Sequence, residues 1–169
     1  KEGKGSCFTV LLPCRISGKK EPPKEQHDDK SQEKVLRNKT ILLAEDNELN
    51  AEIAMTILQD AHARVEVASD GAIALSMFKE APVGYYDVIL MDIQMPHMNG
   101  YQAAEAIRKL PDDRARIPII AMTANAFEED HKAALAAGMD AYVAKPIEID
   151  TLFSTITQVL ENKITINKS

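Results

Sequence analysis

From residue 40 onward, short apolar runs alternate with longer segments whose apolar residues recur every three or four positions. Continuous or alternating runs of four to six residues are typical of strands, and the longer spacing is typical of helices that bury one face. The runs predict strands at 41–44, 64–68, 87–91, 117–122 and 141–144. The longer spacing predicts helices at 49–58, 71–78, 100–110, 127–138 and 149–160, with Gly138 ending the fourth.

Five strands that alternate with five helices pair in parallel through right-handed crossovers. The predicted fold class is therefore α/β: a doubly wound, five-stranded parallel sheet with five helices, in a flavodoxin-like three-layer sandwich. Ligands of such open sheets bind at the carboxyl ends of the strands. Polar side chains at those ends are accordingly the candidate site.

Polar side chains follow four of the predicted strands. Glu45 and Asp46 follow the first strand, Asp92 the third, Thr123 the fourth and Lys145 the fifth. Clustered carboxylates raise each other's pKa unless a cation joins them, and their oxygens suit Mg²⁺. A lysine can hold a phosphate as a point charge. The set predicts a phosphoryl site with a carboxylate as acceptor, and the alternative is a structural network of carboxylates, lysine and helix caps.

The composition narrows the class of protein only mildly. With 45% hydrophobic and 27% charged residues in 169, the chain is typical of a globular protein. A formal net charge of −6 disfavours nucleic acid as a partner, because such binding relies on Lys and Arg. No stretch approaches the roughly 18 apolar residues that span a bilayer, so we expect no membrane contact from this fragment. Cys7 and Cys14 favour a reduced, cytoplasmic chain over a disulfide.

Composition also divides the chain into four parts. Residues 1–16 hold a Gly-rich turn and a β-prone run, and residues 17–38 are polar and charged, as in a flexible linker. The α/β domain is predicted at 39–163, followed by a polar tail at 164–169. Lys1 is not a natural start, so we expect a piece of a longer chain.

Four motifs, ILLAEDNELN, DVILMDIQMPHMNG, IPIIAMTANA and YVAKPI, resemble the response-regulator receiver domain of two-component signalling over about residues 38–163. The resemblance implies that Asp92 is the phosphoacceptor. It also implies that Glu45 and Asp46, with Asp92 and the backbone carbonyl of Gln94, hold Mg²⁺. Lys145 would contact the phosphoryl group, and its peptide bond to the following proline would be cis.

The resemblance assigns further roles around the acceptor. Thr123 and Tyr142 resemble the switch pair, whose hydroxyl moves toward the phosphoryl group while the ring turns inward. Ala124 is small, which leaves the acceptor accessible, and Gln94 and Asn125 occupy positions that tune hydrolysis. Any enzymatic activity of the fragment would be limited to its own phosphorylation and dephosphorylation at aspartate.

The first sixteen residues point to a parent protein. GKGSCFTVLLP resembles the last glycine motif and final strand of a histidine-kinase ATP-binding domain. The expected parent is a hybrid sensor histidine kinase, whose phosphohistidine domain supplies the phosphoryl group and whose next partner is a histidine phosphotransfer protein. Leu49, Asn50 and Ile53 are candidates for docking that partner, with a core position as the alternative for Ile53. We expect a cytoplasmic fragment, with the parent as a candidate for anchoring in the inner membrane.

Three alternative functions are disfavoured, one within the same family and two from other classes. A stand-alone response regulator is disfavoured by residues 1–16. An aspartate-based phosphatase of the haloacid dehalogenase type needs a second Asp two residues after the nucleophile, and Gln94 at that position cannot protonate a leaving group. A binding module that no longer accepts phosphate is disfavoured by the intact acidic pair, Thr123 and Lys145.

Overall fold

The structure, a computed structural model, describes residues 35–124 and 128–166, in which five strands and five helices alternate. The strands are β1 (Thr40–Ala44), β2 (Arg64–Ala68), β3 (Val88–Asp92), β4 (Ile119–Thr123) and β5 (Ala141–Ala144). The helices are α1 (Glu48–Asp60), α2 (Gly71–Glu80), α3 (Gly100–Arg108), α4 (Glu128–Ala136) and α5 (Ile149–Ile166), with a 3₁₀ turn at Asp113–Arg116. The predicted type and order of every element are confirmed.

All strand pairs are parallel, in the order β2-β1-β3-β4-β5. This order is that of the flavodoxin-like doubly wound sheet, so the predicted fold class is confirmed. The central strand β3 lies between β1 and β4, with Ala44 opposite Met91 and Asp92 opposite Met122. The carboxyl ends of these three strands therefore meet at one edge of the sheet.

Two apolar layers cover the sheet. One contains Phe78 of α2, Ile107 of α3 and Ala134 of α4, packed with the side chains of Ile89 and Met91. The other contains Leu58 of α1 and Leu152 and Ile156 of α5, packed on the opposite face with the side chains of Ile41 and Leu43 of β1. The continuous apolar runs of β1, β3 and β4 follow from this cover on both faces.

The start of the folded domain lies earlier than predicted. Leu36, assigned to the polar linker at 17–38, is fully buried in the layer of α1 and α5. The backbone N–H of Asn38 donates to the His62 carbonyl oxygen at 3.2 Å. The domain therefore includes Leu36, whose burial outweighs the polar character of its neighbours. At the other end, α5 continues to Ile166, beyond the predicted boundary at 163.

The predicted kinase remnant at 1–16, including Cys7 and Cys14, lies outside the described residues, and these predictions stand untested. Among the residues that the structure describes, no helix has the length and apolarity needed to cross a bilayer.

Candidate functional site

Asp92 is the last residue of β3, and its carboxylate is buried at the edge where β1, β3 and β4 end. The chain leaves the sheet directly after it, with the Ile93 N–H donating to the Met122 carbonyl oxygen at 3.1 Å. Each carboxylate oxygen of Asp92 accepts a hydrogen bond. Oδ1 accepts from the backbone N–H of Gln94 at 3.2 Å, and Oδ2 accepts from Lys145 Nζ at 2.7 Å.

Lys145 joins the ends of β1 and β3. Its ammonium lies 2.7 Å from Asp92 Oδ2 and 2.6 Å from Glu45 Oε2. Its backbone N–H donates to the Thr123 carbonyl oxygen at 2.7 Å, which fixes the start of the loop after β5 against the end of β4. The bond from Lys145 to Pro146 is cis, as the resemblance implies.

The turn between β1 and α1 presents the acidic pair in two different environments. Glu45 is buried and Asp46 is exposed. The Glu45 backbone N–H donates to the Ala68 carbonyl oxygen at 3.0 Å, which extends the pairing of β1 with β2. Asn47 is the N-cap of α1, and its side chain accepts from the Asn50 N–H at 3.1 Å. Because Asn47 is the N-cap, the side chain of Asp46 is not needed to start the helix.

Asn50 is half-buried, and its side-chain amide donates to Glu45 Oε1 at 3.1 Å. The sequence predicted Asn50 as a docking candidate beside Leu49 and Ile53, and it did not indicate this contact. Leu49 and Ile53 are 64% and 49% exposed, so the alternative core position of Ile53 is wrong.

Burial and charge act against each other at the two central groups. Burial raises the pKa of the Asp92 carboxyl, and the charge of Glu45 adds to that shift, while the hydrogen bond and charge of Lys145 pull the pKa down. For Lys145, burial opposes the ammonium, but its hydrogen bonds to Asp92 and Glu45 and their charges leave its pKa raised. The lysine therefore stays protonated. Its single positive charge is shared between two carboxylates and does not neutralise both.

Glu45, Asp46 and Asp92 can each offer one oxygen, and these oxygens lie within 4.8 Å of one another. They are the one such group of acidic, His or Cys side chains among the described residues. Hard oxygen donors suit Mg²⁺, and three carboxylates facing one ammonium leave negative charge for a divalent cation. The donor set therefore fits the predicted ion. The carbonyl of Gln94 as a further ligand stays a prediction.

The predicted switch residues occupy neighbouring strands. Thr123 ends β4 and is buried, whereas Tyr142 in β5 is 41% exposed. The Tyr142 ring packs against His131 of α4, with ring centroids 4.6 Å apart. The sequence did not indicate this contact, because nothing in it shows that α4 packs over β5. Ala124 is exposed, and Asn125 lies outside the described residues.

Gly100 brings the start of α3 against the acceptor strand. Its N–H donates to the Ile93 carbonyl oxygen at 3.0 Å, and an added Cβ would lie 2.3 Å from the Asp92 carbonyl oxygen. Since real Cβ atoms do not approach so closely, this position requires glycine. The sequence indicated Asn99-Gly100 only as a turn, and the close approach depends on how α3 packs.

The model of the response regulator receiver domain family matches residues 41–157. Among curated proteins, Histidine kinase 2 of Arabidopsis thaliana is 31% identical over a match that covers 91% of this chain and 15% of that protein. The chain thus spans a small part of the kinase that it matches.

Two solved structures extend the likeness to the fold. The receiver domain of sensor histidine kinase PA1611 from Pseudomonas aeruginosa, with a magnesium ion coordinated in its active-site cleft, is 35% identical, with a TM-score of 0.67 over 73% of this chain and 98% of that one. The receiver domain of Ssk1 from Saccharomyces cerevisiae, crystallised with the phosphotransfer protein Ypd1, gives 28% identity and a TM-score of 0.64 over 72% and 88%. The chain belongs to the response regulator receiver domain family of two-component signalling.

Proposed function

We propose that this chain is the receiver domain of a hybrid sensor histidine kinase. It would take a phosphoryl group from a phosphohistidine onto Asp92, with Mg²⁺ bound, and relay it to a histidine phosphotransfer protein. The observation that carries the proposal is the buried Asp92 carboxylate at the end of the central strand, 2.7 Å from Lys145 and beside two further carboxylates. Histidine-kinase relatives support the parent, and the domain would work in the cytoplasm.

In the transfer step, a carboxylate oxygen of Asp92 forms a bond to phosphorus while the phosphorus–nitrogen bond of the donor breaks. The electron pair of that bond stays on the histidine nitrogen, so no external co-reactant is needed. Lys145 would leave Glu45 and Asp92 to contact a phosphoryl oxygen. An ion held by Glu45, Asp46, Asp92 and the Gln94 carbonyl would neutralise charge on the transferred group.

Two pairs of residues would shape the response. The Thr123 hydroxyl would donate a hydrogen bond to the phosphoryl group, and Tyr142 would turn inward, away from its contact with His131. Gln94 and Asn125 would set the rate at which the acyl phosphate hydrolyses.

The relay needs a surface for a partner close to Asp92. Leu49 and Ile53 of α1 and Ile149 at the start of α5 are exposed apolar side chains, and Leu49 and Ile149 lie near the helix ends that follow β1 and β5. The complex of the Ssk1 receiver with Ypd1 supports a partner of the phosphotransfer class. Asn50 is left out of this surface, because its amide is held by Glu45.

Phosphorylation is tested by incubating the chain with Mg²⁺ and acetyl phosphate and recording its intact mass. We expect one added phosphoryl group, lost in Asp92→Asn and kept in Asp113→Asn, whose side chain is 85% exposed. Omission of Mg²⁺ should abolish the gain. A phosphoryl group that persists in Asp92→Asn would refute the assignment of the acceptor.

The relay is tested with Ypd1 as a probe of the partner class. After phosphorylation with acetyl phosphate, the label should pass to Ypd1, and Leu49→Asp should slow this transfer at least tenfold without slowing phosphorylation itself. Val83→Asp is the matched control, since Val83 is similarly exposed, at 60%, but lies after α2. Equal transfer rates for the two variants would place the docking surface elsewhere.

A further inference from the structure

Asn50 lies at a helical position whose side chain often caps the start of its own helix. Asn47 is the N-cap of α1, so Asn50 is the third residue of the helix, where a side chain often reaches back to the N-cap backbone. The third residue of α3, Gln102, does this: its side-chain oxygen accepts from the Asn99 N–H at 3.2 Å. Asn50 instead donates its amide to Glu45 Oε1 at 3.1 Å.

The hydrogen bond from Asn50 helps to hold the buried carboxylate of Glu45 in place. Glu45 is 3% exposed, and its Oε2 accepts from Lys145 Nζ at 2.6 Å. Its Oε1 accepts from Asn50, so each oxygen of the carboxylate has a donor. The backbone of Glu45 is held in turn by Ala68. With both oxygens bound, the carboxylate cannot rotate freely toward or away from Asp92.

We infer that Asn50 is a positioning residue for Glu45, which sets the affinity of the acidic site for Mg²⁺. The inference rests on the proposed function, because it gives Asn50 a role toward the ion held by Glu45, Asp46 and Asp92. Neighbours that orient a metal ligand commonly change metal affinity by tenfold or more when they are replaced. Without the amide, Oε1 lacks its donor, and Glu45 no longer stays in one orientation.

A positioning residue and a docking residue differ in the reactions that they affect. A docking residue affects only reactions that involve the partner protein, whereas a residue that orients Glu45 affects Mg²⁺ binding by the isolated chain. Positioning is also distinct from a role in starting the helix, because the Asn50 backbone N–H, rather than its side chain, takes part in the Asn47 cap. The amide can therefore be removed while the cap remains.

The test compares Asn50→Leu, which keeps the branched shape without the donor, with Gln102→Ala, which removes an amide from the same helical position of α3. Mg²⁺ is titrated into each ¹⁵N-labelled chain and binding is followed from amide chemical shifts. We expect Asn50→Leu to bind Mg²⁺ about tenfold more weakly, and Gln102→Ala to bind within twofold of the wild type. Asn50→Ala, which also lacks the donor, replaces Asn50→Leu if the latter does not fold.

A second measurement uses acetyl phosphate as the donor, with no partner protein. The Mg²⁺ concentration for half-maximal phosphorylation should rise about tenfold in Asn50→Leu, while the rate at saturating Mg²⁺ stays within twofold. Unchanged or tighter Mg²⁺ binding by the variant would overturn the inference. If the wild type itself neither bound Mg²⁺ nor accepted a phosphoryl group, the proposed function would fail, which is a distinct outcome.

Discussion

The Nζ atom of Lys145 lies 2.7 Å from Asp92 Oδ2, on the oxygen-rich edge where the proposed phosphoryl acceptor sits. The same ammonium lies 2.6 Å from Glu45 Oε2, so one positive charge bridges two buried carboxylates. Removing one member of such a group leaves the others buried and uncompensated, which destabilises the fold more than an exposed ion pair would.

Lys145→Met is therefore expected to lower the free energy of unfolding by about 3 kcal/mol. Saturating Mg²⁺ should restore more of the stability of this variant than it adds to the wild type, because the ion can replace the missing positive charge. Urea unfolding with and without Mg²⁺ measures both effects.

The control for this variant is Lys39→Met. Lys39 pairs with Asp87 at 3.0 Å, but its side chain is 36% exposed. It also lies just before the start of β1, at the edge of the sheet opposite the acidic site. Its loss should be below about 1 kcal/mol and should not depend on Mg²⁺. Equal Mg²⁺ responses in the two variants would show that Lys145 does not share its carboxylates with the ion.

Gly100→Ala should displace the start of α3 from Asp92, because the new Cβ would lie 2.3 Å from the Asp92 carbonyl oxygen. We expect a loss of about 3 kcal/mol in urea unfolding, together with weaker Mg²⁺ binding. Gly84→Ala is the control, since an added Cβ meets nothing within 4 Å and only the φ of +80° is strained. That variant should lose about 1 kcal/mol and bind Mg²⁺ normally.

The elements of the fold could be predicted because the apolar pattern of a strand follows its burial. The strands β1, β3 and β4, which are covered on both faces, have continuous apolar runs, and the edge strand β2 has an alternating one. The site could be predicted because Glu45, Asp92 and Thr123 stand where those runs end, and the carboxyl ends of parallel strands meet. Asn50 was placed on the docking surface instead, since its contact with Glu45 depends on the geometry of the capped turn. Leu36 was missed because two apolar residues in a polar segment have no periodicity.

Leu36 gives a test of where the domain begins. Its side chain is fully buried against the layer of α1 and α5, so Leu36→Ala should cost about 3 kcal/mol. A fragment of residues 39–169 should be less stable than one of residues 33–169 by a similar amount. Val83→Ala, at an exposed site, is the control and should change the urea midpoint little. An unchanged free energy of unfolding in Leu36→Ala would mean that Leu36 belongs to the linker rather than to the folded domain.

Glu66 on β2 accepts hydrogen bonds from the hydroxyls of two successive residues, Tyr85 at 2.6 Å and Tyr86. The bond from Tyr85, and then that from Tyr86, hold the pKa of the Glu66 carboxyl below its ordinary value of 4.5. A carboxyl whose pKa is lowered by folding stabilises the native state above its unfolded pKa. That contribution is lost as the pH falls through the lower folded pKa.

The free energy of unfolding of the wild type should therefore fall more steeply than that of Glu66→Gln as the pH drops below 4.5. Tyr85→Phe should show an intermediate slope, because one of the two hydrogen bonds to Glu66 remains. Tyr101→Phe is the matched control: within the described part of the chain its hydroxyl has no hydrogen-bond partner, so its slope should equal that of the wild type. Urea unfolding between pH 7 and pH 3 gives all four slopes, and parallel slopes for wild type and Glu66→Gln would mean that the tyrosine pair does not hold the carboxylate in solution.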